Sequence, residues 1–501
     1  MINSILKYFI SKRVHRIYDV YSDLKKVQEE QLFSILTTSE KTVFGKEYDF
    51  ENIKTIKDFQ SKVPLHTYES IFPYIEKMLE GQESVLYPGL VKWFSKSSGT
   101  TNAKSKYIPV SDKALVDCHF KGGEDELSLY LKAVPESELF KGKILCVGGS
   151  FSKSTKHPDI FIGDVSAVTM KELPLWAEYF RTPSLNTALM SEWESKLDQM
   201  ALESMNENVT GIAGVPTWTI VLIKKILEKT GKENILEVWP NLEVFFHGAV
   251  SFDPYRHLFK ELIPKDNMHY MEAYNASEGF FAIQDDLSKD NEMLLMPDYG
   301  IFYEFVPVTD PDKSHPVAYT MLDVKIGKNY AMIISTNGGL FRYVIGDTVM
   351  FTSLFPHRIK ITGRTKHYLN TFGEELVVHN ADTAILQACL ATGAKIVDYT
   401  AGPIFMTDDS RGGHEWIIEF STLPISPSLF IFELDKNLKM INSDYDAKRY
   451  KNIALQEPVL KIAPEGTFHK WMKEKNKLGG QNKVPRLSNT REFLYELNNL
   501  I

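Results

Sequence analysis

The chain has almost no cysteine. Cys118, Cys146 and Cys389 are scattered over 501 residues. An odd, widely spaced set excludes both a disulfide framework and a CxxC metal site. A reducing, cytoplasmic setting is the expectation. Positive charge is not in surplus either. The 57 Lys and Arg stand against 65 Asp and Glu, for a formal net charge of -8. That balance lacks the electrostatic footprint of a nucleic-acid-binding protein. No apolar run reaches the length of a membrane span. The nearest approach is the N-terminal "MINSILKYFISKRVHRIYDVYSDL", where Ile5, Leu6, Phe9 and Ile10 precede Lys12, Arg13 and Arg16. A signal peptide has its charges first. The segment therefore reads as an amphipathic surface helix, with peripheral membrane contact as the alternative and no stable insertion. Internal repeats and low-complexity tracts are absent.

Familiar catalytic signatures are also missing. "GGSFSKST" (148–155) has Ser152 where a Walker A loop needs a glycine before Lys153. "NASEG" (275–279) has Asn275 in place of the first glycine of a nucleophile elbow. "HEWII", from His414, lacks the second histidine of a zinc protease. No His/Cys cluster has metal-ligand spacing. These gaps argue against a P-loop kinase, an α/β-hydrolase and a zinc enzyme.

What is present is ample core material, with 43% hydrophobic and 12% aromatic residues. Helical periodicity dominates up to about residue 80, as in "VQEEQLFSILTTSEKTVFGKEY". Short apolar strands then alternate with helices. "KILCVGGSF" (143–151), "NVTGIAGV" (208–215), "NLEVFFHGAV" (241–250) and "MHYMEAYNAS" (268–277) read as strands. "PTWTIVLIKKILEKTG" (216–231) and "DPYRHLFKELI" read as helices. This is the pattern of a layered α/β domain. From about 300 to 351 the helices vanish and strands take over, with "NGG" as a hairpin signal. After Arg364 a compact α+β unit follows, closing on a strand-like "PVLKIAPEGTFHKWM". The fold class expected is α/β: a large N-terminal layered α/β domain with a β-rich subdomain (1–364), a hinge (365–371) and a small, mobile α+β C-terminal domain (372–501).

Four segments carry candidate chemistry. In "KSSGTTNAKSKYIPVS", Ser97, Ser98, Gly99, Thr100 and Thr101 gather hydroxyls and open backbone N–H groups, with Lys106 close behind. Such a nest wraps polyphosphate, and a Ser/Thr-rich linker is the plainer alternative. "YNASEG", Tyr274 to Gly279, ends a strand, where ligands of open α/β sheets bind. Tyr274 offers a flat face for a base and Glu278 an oxygen ligand for Mg2+. In "FRYVIGDT", Asp347 follows a glycine at the end of an apolar strand and can accept from two ribose hydroxyls. "GGQNKVPRL" is a glycine-flanked loop bearing Lys483 and Arg486. Taken singly, each is also readable as an ordinary surface turn or solvated loop.

Together, in this order, the four segments resemble the Gretchen-Hagen auxin-responsive family of acyl-acid amido synthetases in its bacterial form. That family sits within the superfamily of acyl-CoA synthetases, luciferases and nonribosomal adenylation domains. "GRTKHYLNTFGEEL" (363–376) is similar to the superfamily hinge, and "FFHGAV" to its adenine strand. Ala103 and Lys104 depart from the usual first motif, and Glu374 and Glu375 stand where plant members carry a lysine. The resemblance implies a two-step reaction. A small carboxylic acid attacks the α-phosphate of ATP, and an amino acid's amine then displaces AMP. It implies phosphate contacts from Ser97, Ser98, Gly99, Thr100, Thr101 and Lys106. Gly248, Ala249, Tyr274, Asn275, Ala276 and Ser277 would surround the base. Glu278 would serve Mg2+, Asp347 and Arg364 the ribose, and Lys483 the α-phosphate, with Thr100 and Glu278 beside it in catalysis. The acid pocket would be lined by helices near 111–131 and 216–229. An acyl-CoA ligase and a catalytically degenerate nucleotide-binding scaffold are the competing readings.

Overall fold

The structure, a computed structural model, describes residues 13–97, 106–249, 252–308, 317–364, 368–369, 376–404, 412–442, 445–446, 449, 455–475, 477–478, 484–488 and 490–501. The N-terminal stripe at Ile5–Ile10 lies outside them. The chain divides into two compact units. The first holds Met1–Val250, Leu258–Ile345 and Val349–Lys360; the second holds Ser251–His257, Gly346–Thr348 and Ile361–Ile501.

Helices open the first unit where the 3.6-residue period predicts them. Leu24–Ser39 is capped by the Asp23 side chain, which accepts from Lys26 N, and buries Leu32, Ile35 and Leu36 on one face. Ile56–Lys62 starts in a capping box of Thr55 and Asp58. Tyr68–Leu79 ends before Gly81, whose φ of 89° only glycine adopts without strain.

The strands expected from the alternating pattern build one twelve-stranded sheet. On one side Arg181–Thr182, Lys143–Val147, Val209–Gly214, Val244–Gly248 and His269–Ala276 run parallel. Antiparallel pairing begins at His269–Ala276 with Gly279–Ile283 and continues through Met293–Leu295 to His357–Arg364. Ile301–Pro307 pairs antiparallel with Asn329–Thr336 further out. Pro216–Thr230 places Pro216 in its first turn and ends on left-handed Gly231, as expected. A second, four-stranded sheet carries Lys106–Val110 and Trp93–Ser97. Ser111 then caps the following helix by accepting from Ala114 N, and the helical path continues through Leu115–Phe120 into Lys121–Ala133.

In the second unit, Lys395–Ile404, Gly413–Thr422 and Val459–Ala463 form a three-stranded sheet. Its two faces follow the period of the strand. Trp416, Ile418 and Phe420 pack with residues of the helices Val378–Thr392 and Pro427–Ile441. Ile417 packs instead with Phe468, Trp471, Leu494 and Leu497. Those last residues lie on the helices Thr467–Glu474 and Glu492–Asn498. The strand-like reading of "PVLKIAPEGTFHKWM" is therefore corrected: the strand stops at Ala463 and a helix begins at Thr467. Gly466, at φ 82°, makes the turn, and Phe468 and Trp471 share a face at helical spacing.

Candidate active site

The parallel strands all present their carboxyl ends along one edge, where ligands of open α/β sheets bind. Gly248 and Ala273 are register partners at that edge. A Cβ on Gly248 would stand 2.3 Å from the Ala273 carbonyl oxygen, so glycine is required there for the two strands to pack. Ala249 takes a left-handed φ of 70° immediately after. In a residue other than glycine that conformation is uncommon and marks functional turns. Ser277 and Glu278 form the two-residue turn between His269–Ala276 and Gly279–Ile283, with Ala276 and Gly279 paired across it. Tyr274 is buried and packs against Phe281, ring centroids 4.8 Å apart.

The hydroxyl-rich loop is the connection of a hairpin. Ser97 ends one strand and Lys106 begins the next, and they are partners in register. Ser98, Gly99, Thr100 and Thr101 lie outside the described residues, as does the side chain of Ser97. Lys106 is half-buried, its Nζ 3.4 Å from the Tyr343 hydroxyl and 5.5 Å from the centre of the Tyr68 ring. Tyr68 accepts from Tyr107 N, and burial pushes its phenol up to about 12, with the Glu278 charge adding to the rise. Lys106 thus lies beside a tyrosine whose phenol also feels the Glu278 charge.

The near-Walker "GGSFSKST" has a structural explanation. Lys196, which is buried, donates from Nζ to the carbonyls of Gly148 and Gly149 at 2.7 and 2.8 Å. A Cβ on Gly149 would stand 1.7 Å from Asp164 Oδ2. The glycines admit a lysine and an aspartate from elsewhere in the chain. Burial lowers Lys196 to about 8, opposed by Asp164. Nothing in the local sequence marks Lys196 for this role.

In the second unit, Asp347 is buried within the strand Tyr343–Leu354. That differs from the strand end expected: the alternation continues through the buried Val349 and Phe351. Gly346, at φ 93°, bends the strand just before it. Arg364 ends the strand His357–Arg364, and its side chain is outside the described residues, as is all of Lys483. The segment after Lys483 is anchored. Thr400 donates to Pro485 O at 2.6 Å, Ala401 N to Arg486 O at 2.8 Å and Ser488 N to Ala401 O at 3.1 Å. Arg486 is ion-paired with Asp398, donates to the Tyr255 hydroxyl at 2.6 Å and stacks 4.6 Å from the centre of the Tyr399 ring. Tyr399 donates to Asp382 at 2.6 Å.

Burial raises Asp382 to about 6, with the Arg486 charge and the Tyr399 hydroxyl pulling the other way. A raised carboxyl stabilises the fold fully below its unfolded value of 3.8, and that contribution is lost as pH rises through about 6. Asp382→Asn is therefore expected to raise stability at pH 7.5 by about 2–3 kcal/mol. It should also flatten the pH dependence between 4 and 6. Urea unfolding at several pH values measures both effects.

Among the described residues no group of three or more His, Cys, Asp or Glu could hold a metal ion by itself. None of their helices is long and apolar enough to cross a membrane.

Three family models match in chain order. The GH3 family N-terminal domain covers residues 13–268, the GH3 family central domain 294–364 and the GH3 family C-terminal domain 379–492. The chain is 22% identical to the indole-3-acetic acid-amido synthetase GH3.3 of Arabidopsis thaliana over 95% of its own length and 91% of the relative's. It is 22% identical to the 4-substituted benzoates-glutamate ligase GH3.12 of the same plant, over 94% of each. Against the jasmonoyl-L-amino acid synthetase JAR6 of Nicotiana attenuata the identity is again 22%, over 96% and 94%. The fold matches that of the GH3.15 acyl acid amido synthetase with a TM-score of 0.79 at 17% identity, covering 96% of this chain and 94% of that one. A 2-hydroxyisobutyryl-CoA ligase in the postadenylation state matches at a TM-score of 0.60 and 12% identity, over 95% and 91%.

Proposed function

Because the chain belongs to the GH3 family, we propose that it is an ATP-dependent acyl acid amido synthetase. It activates a small carboxylic acid as the acyl-adenylate with release of pyrophosphate. It then passes the acyl group to the amine of an amino acid, and AMP leaves. The observation that carries this reading is the convergence at one edge of the first unit. The register-paired Gly248 and Ala273, the left-handed Ala249 and the Ser277–Glu278 turn lie at adjacent carboxyl ends. Nearby, Lys106 lies 5.5 Å from the centre of the Tyr68 ring, and the Glu278 charge acts on the same phenol.

Each residue has a task set by its chemistry. The hydroxyls and backbone N–H groups of Ser97, Ser98, Gly99, Thr100 and Thr101 hold phosphate oxygens, and Lys106 neutralises the outer phosphates. Gly248 and Ala249 leave room at the strand end for the flat base, beside Tyr274 and the backbone of Asn275, Ala276 and Ser277. Asp347 and Arg364 take the ribose. Glu278 would hold Mg2+. A single carboxylate suits that ion, which binds through one or two carboxylates together with substrate phosphates. When bound, Mg2+ screens the triphosphate so that a second anion can approach it. Residues 365–371 act as the hinge between domains at 1–364 and 372–501, so that Lys483 arrives for adenylation and departs for transfer.

The test is pyrophosphate release from ATP over a panel of carboxylic acids, with and without amino acids or coenzyme A. Turnover that needs both an acid and an amino acid, with an amide as product, is expected. Acceleration by coenzyme A and never by an amine would make the chain a thioester-forming ligase. No ATP-dependent pyrophosphate release with any acid would leave a nucleotide-binding scaffold.

A further inference from the structure

The helix Lys121–Ala133 lies against the sheet along the strands that end in the candidate site. Its contacts give its orientation. His119, just ahead of it, has Asn275 at its ring. A Cβ on Gly122 would meet the Phe280 ring at 2.5 Å. Tyr130 packs edge-on to Phe246 and His269, with centroids 5.5 and 5.8 Å apart. At about 3.6 residues per turn, position 126 falls on the same face as 122 and 130. Glu126 therefore points toward the sheet, between residues that pack on Phe246, His269 and Phe280.

The strand ends of the site carry little bulk. Gly248 and its register partner Ala273 are small and only half-buried. On the helix, Gly123 has open space beside it, since a Cβ there would meet nothing within 4 Å. Glu126 Oε1 is sealed from solvent with no hydrogen-bond partner. His119 and Asn275, along the same seam, are paired with each other. A buried polar atom left without a partner costs free energy. A buried carboxyl oxygen without a partner, on the helix face that packs on the strands of the site, is the mark of a place where a polar ligand group belongs. Burial pushes the Glu126 carboxyl up to about 8 and lowers His119 to about 4. At neutral pH both are uncharged, and a protonated carboxyl both donates and accepts.

We infer that Glu126 is a specificity-determining residue of the acyl pocket, selecting acids that carry a hydrogen-bond donor remote from the carboxyl group that is activated. The inference rests on the amido-synthetase reading and narrows its substrate class to hydroxy or amino acids of this kind, over plain hydrocarbon acids. A pocket built to pair with such a group rejects an analogue that leaves its buried carboxyl unmatched.

The experiment uses matched pairs of acids, 4-hydroxybenzoate against 4-methylbenzoate and 6-hydroxyhexanoate against heptanoate. Pyrophosphate release is followed with the full chain and an amino acid mixture. The wild type is expected to favour a hydroxy member by about tenfold or more in kcat/KM. Glu126→Leu should erase or reverse that preference, and Glu126→Gln, which still donates and accepts, should retain part of it. The melting temperature of unliganded Glu126→Leu should equal or exceed that of the wild type, because an unpartnered polar group is removed from the interior. Unchanged selectivity in Glu126→Leu overturns the inference, as does a wild type that uses hydrocarbon acids equally well. A lower melting temperature with unchanged selectivity would assign Glu126 a structural role. If no acid of any kind releases pyrophosphate, the amido-synthetase reading falls and this inference with it. If acids turn over and only the selectivity fails, only this inference falls.

Discussion

Lys483→Ala is expected to slow acyl-adenylate formation by about 10²–10³ while leaving ATP binding intact. Negative charge gathers on the α-phosphate only as the carboxylate attacks it. A lysine that meets that charge in the transition state acts on kcat and not on nucleotide affinity. The residues that follow Lys483 support the assignment. Val484 is buried, and the backbone of 485–488 is hydrogen-bonded to Thr400 and Ala401. The described chain that follows the lysine, 484–488, is thus fixed to the edge of the strand Lys395–Ile404. Isotope exchange between pyrophosphate and ATP measures the step directly, and equilibrium nucleotide binding supplies the control. An unchanged exchange rate removes Lys483 from the chemistry.

Arg486→Ala, three residues later, should produce the opposite pattern. A loss of about 3–5 kcal/mol of stability is expected, because one partner of a buried ion pair is removed and the other is stranded. Asp398 loses its ion pair, Tyr255 its donor and Tyr399 the guanidinium on its ring. Asp382 also loses the positive charge that holds down a carboxyl raised by burial. Neutralising the stranded partner should recover part of the loss, so Arg486→Ala/Asp398→Asn is expected to be more stable than Arg486→Ala alone. Urea unfolding followed by the fluorescence of Trp416 and Trp471, both buried in this unit, reads the effect. A wild-type unfolding midpoint for Arg486→Ala would refute the clamp. Both are basic residues of one short segment, and Arg486 is held by the Asp398 carboxylate and the Tyr255 and Tyr399 phenols.

These cases show where the sequence was readable. Hydroxyls, a glycine and a lysine within ten residues read equally as a linker, and it was their order with the three later segments that pointed to phosphate chemistry. The helix Pro216–Thr230 was legible from its period and end signals, and Leu24–Ser39 from its period alone. The helix Thr467–Glu474 was not. It has eight residues, too few to show a period beside the strand that precedes it. Asp347 was expected at a strand end because a glycine usually marks a turn. The strand continues because buried residues follow at alternate positions.

Glu126 and Lys196 mark the limit more sharply. Each is one charged residue among many on a helix, and such residues are normally solvated. Their burial follows from which parts of the chain lie against the helix, and for Lys196 those are the carbonyls of Gly148 and Gly149, far away in sequence. The sequence by itself determined the class of fold, the order of the elements and the family, because these depend on local periodicity and on short ordered motifs. Only the tertiary structure decided which polar groups lose their water. Desolvation depends on neighbours brought together across the chain, and it is what separates the clamps Lys196 and Arg486 and the unpartnered Glu126 from the solvated residues they resemble in sequence.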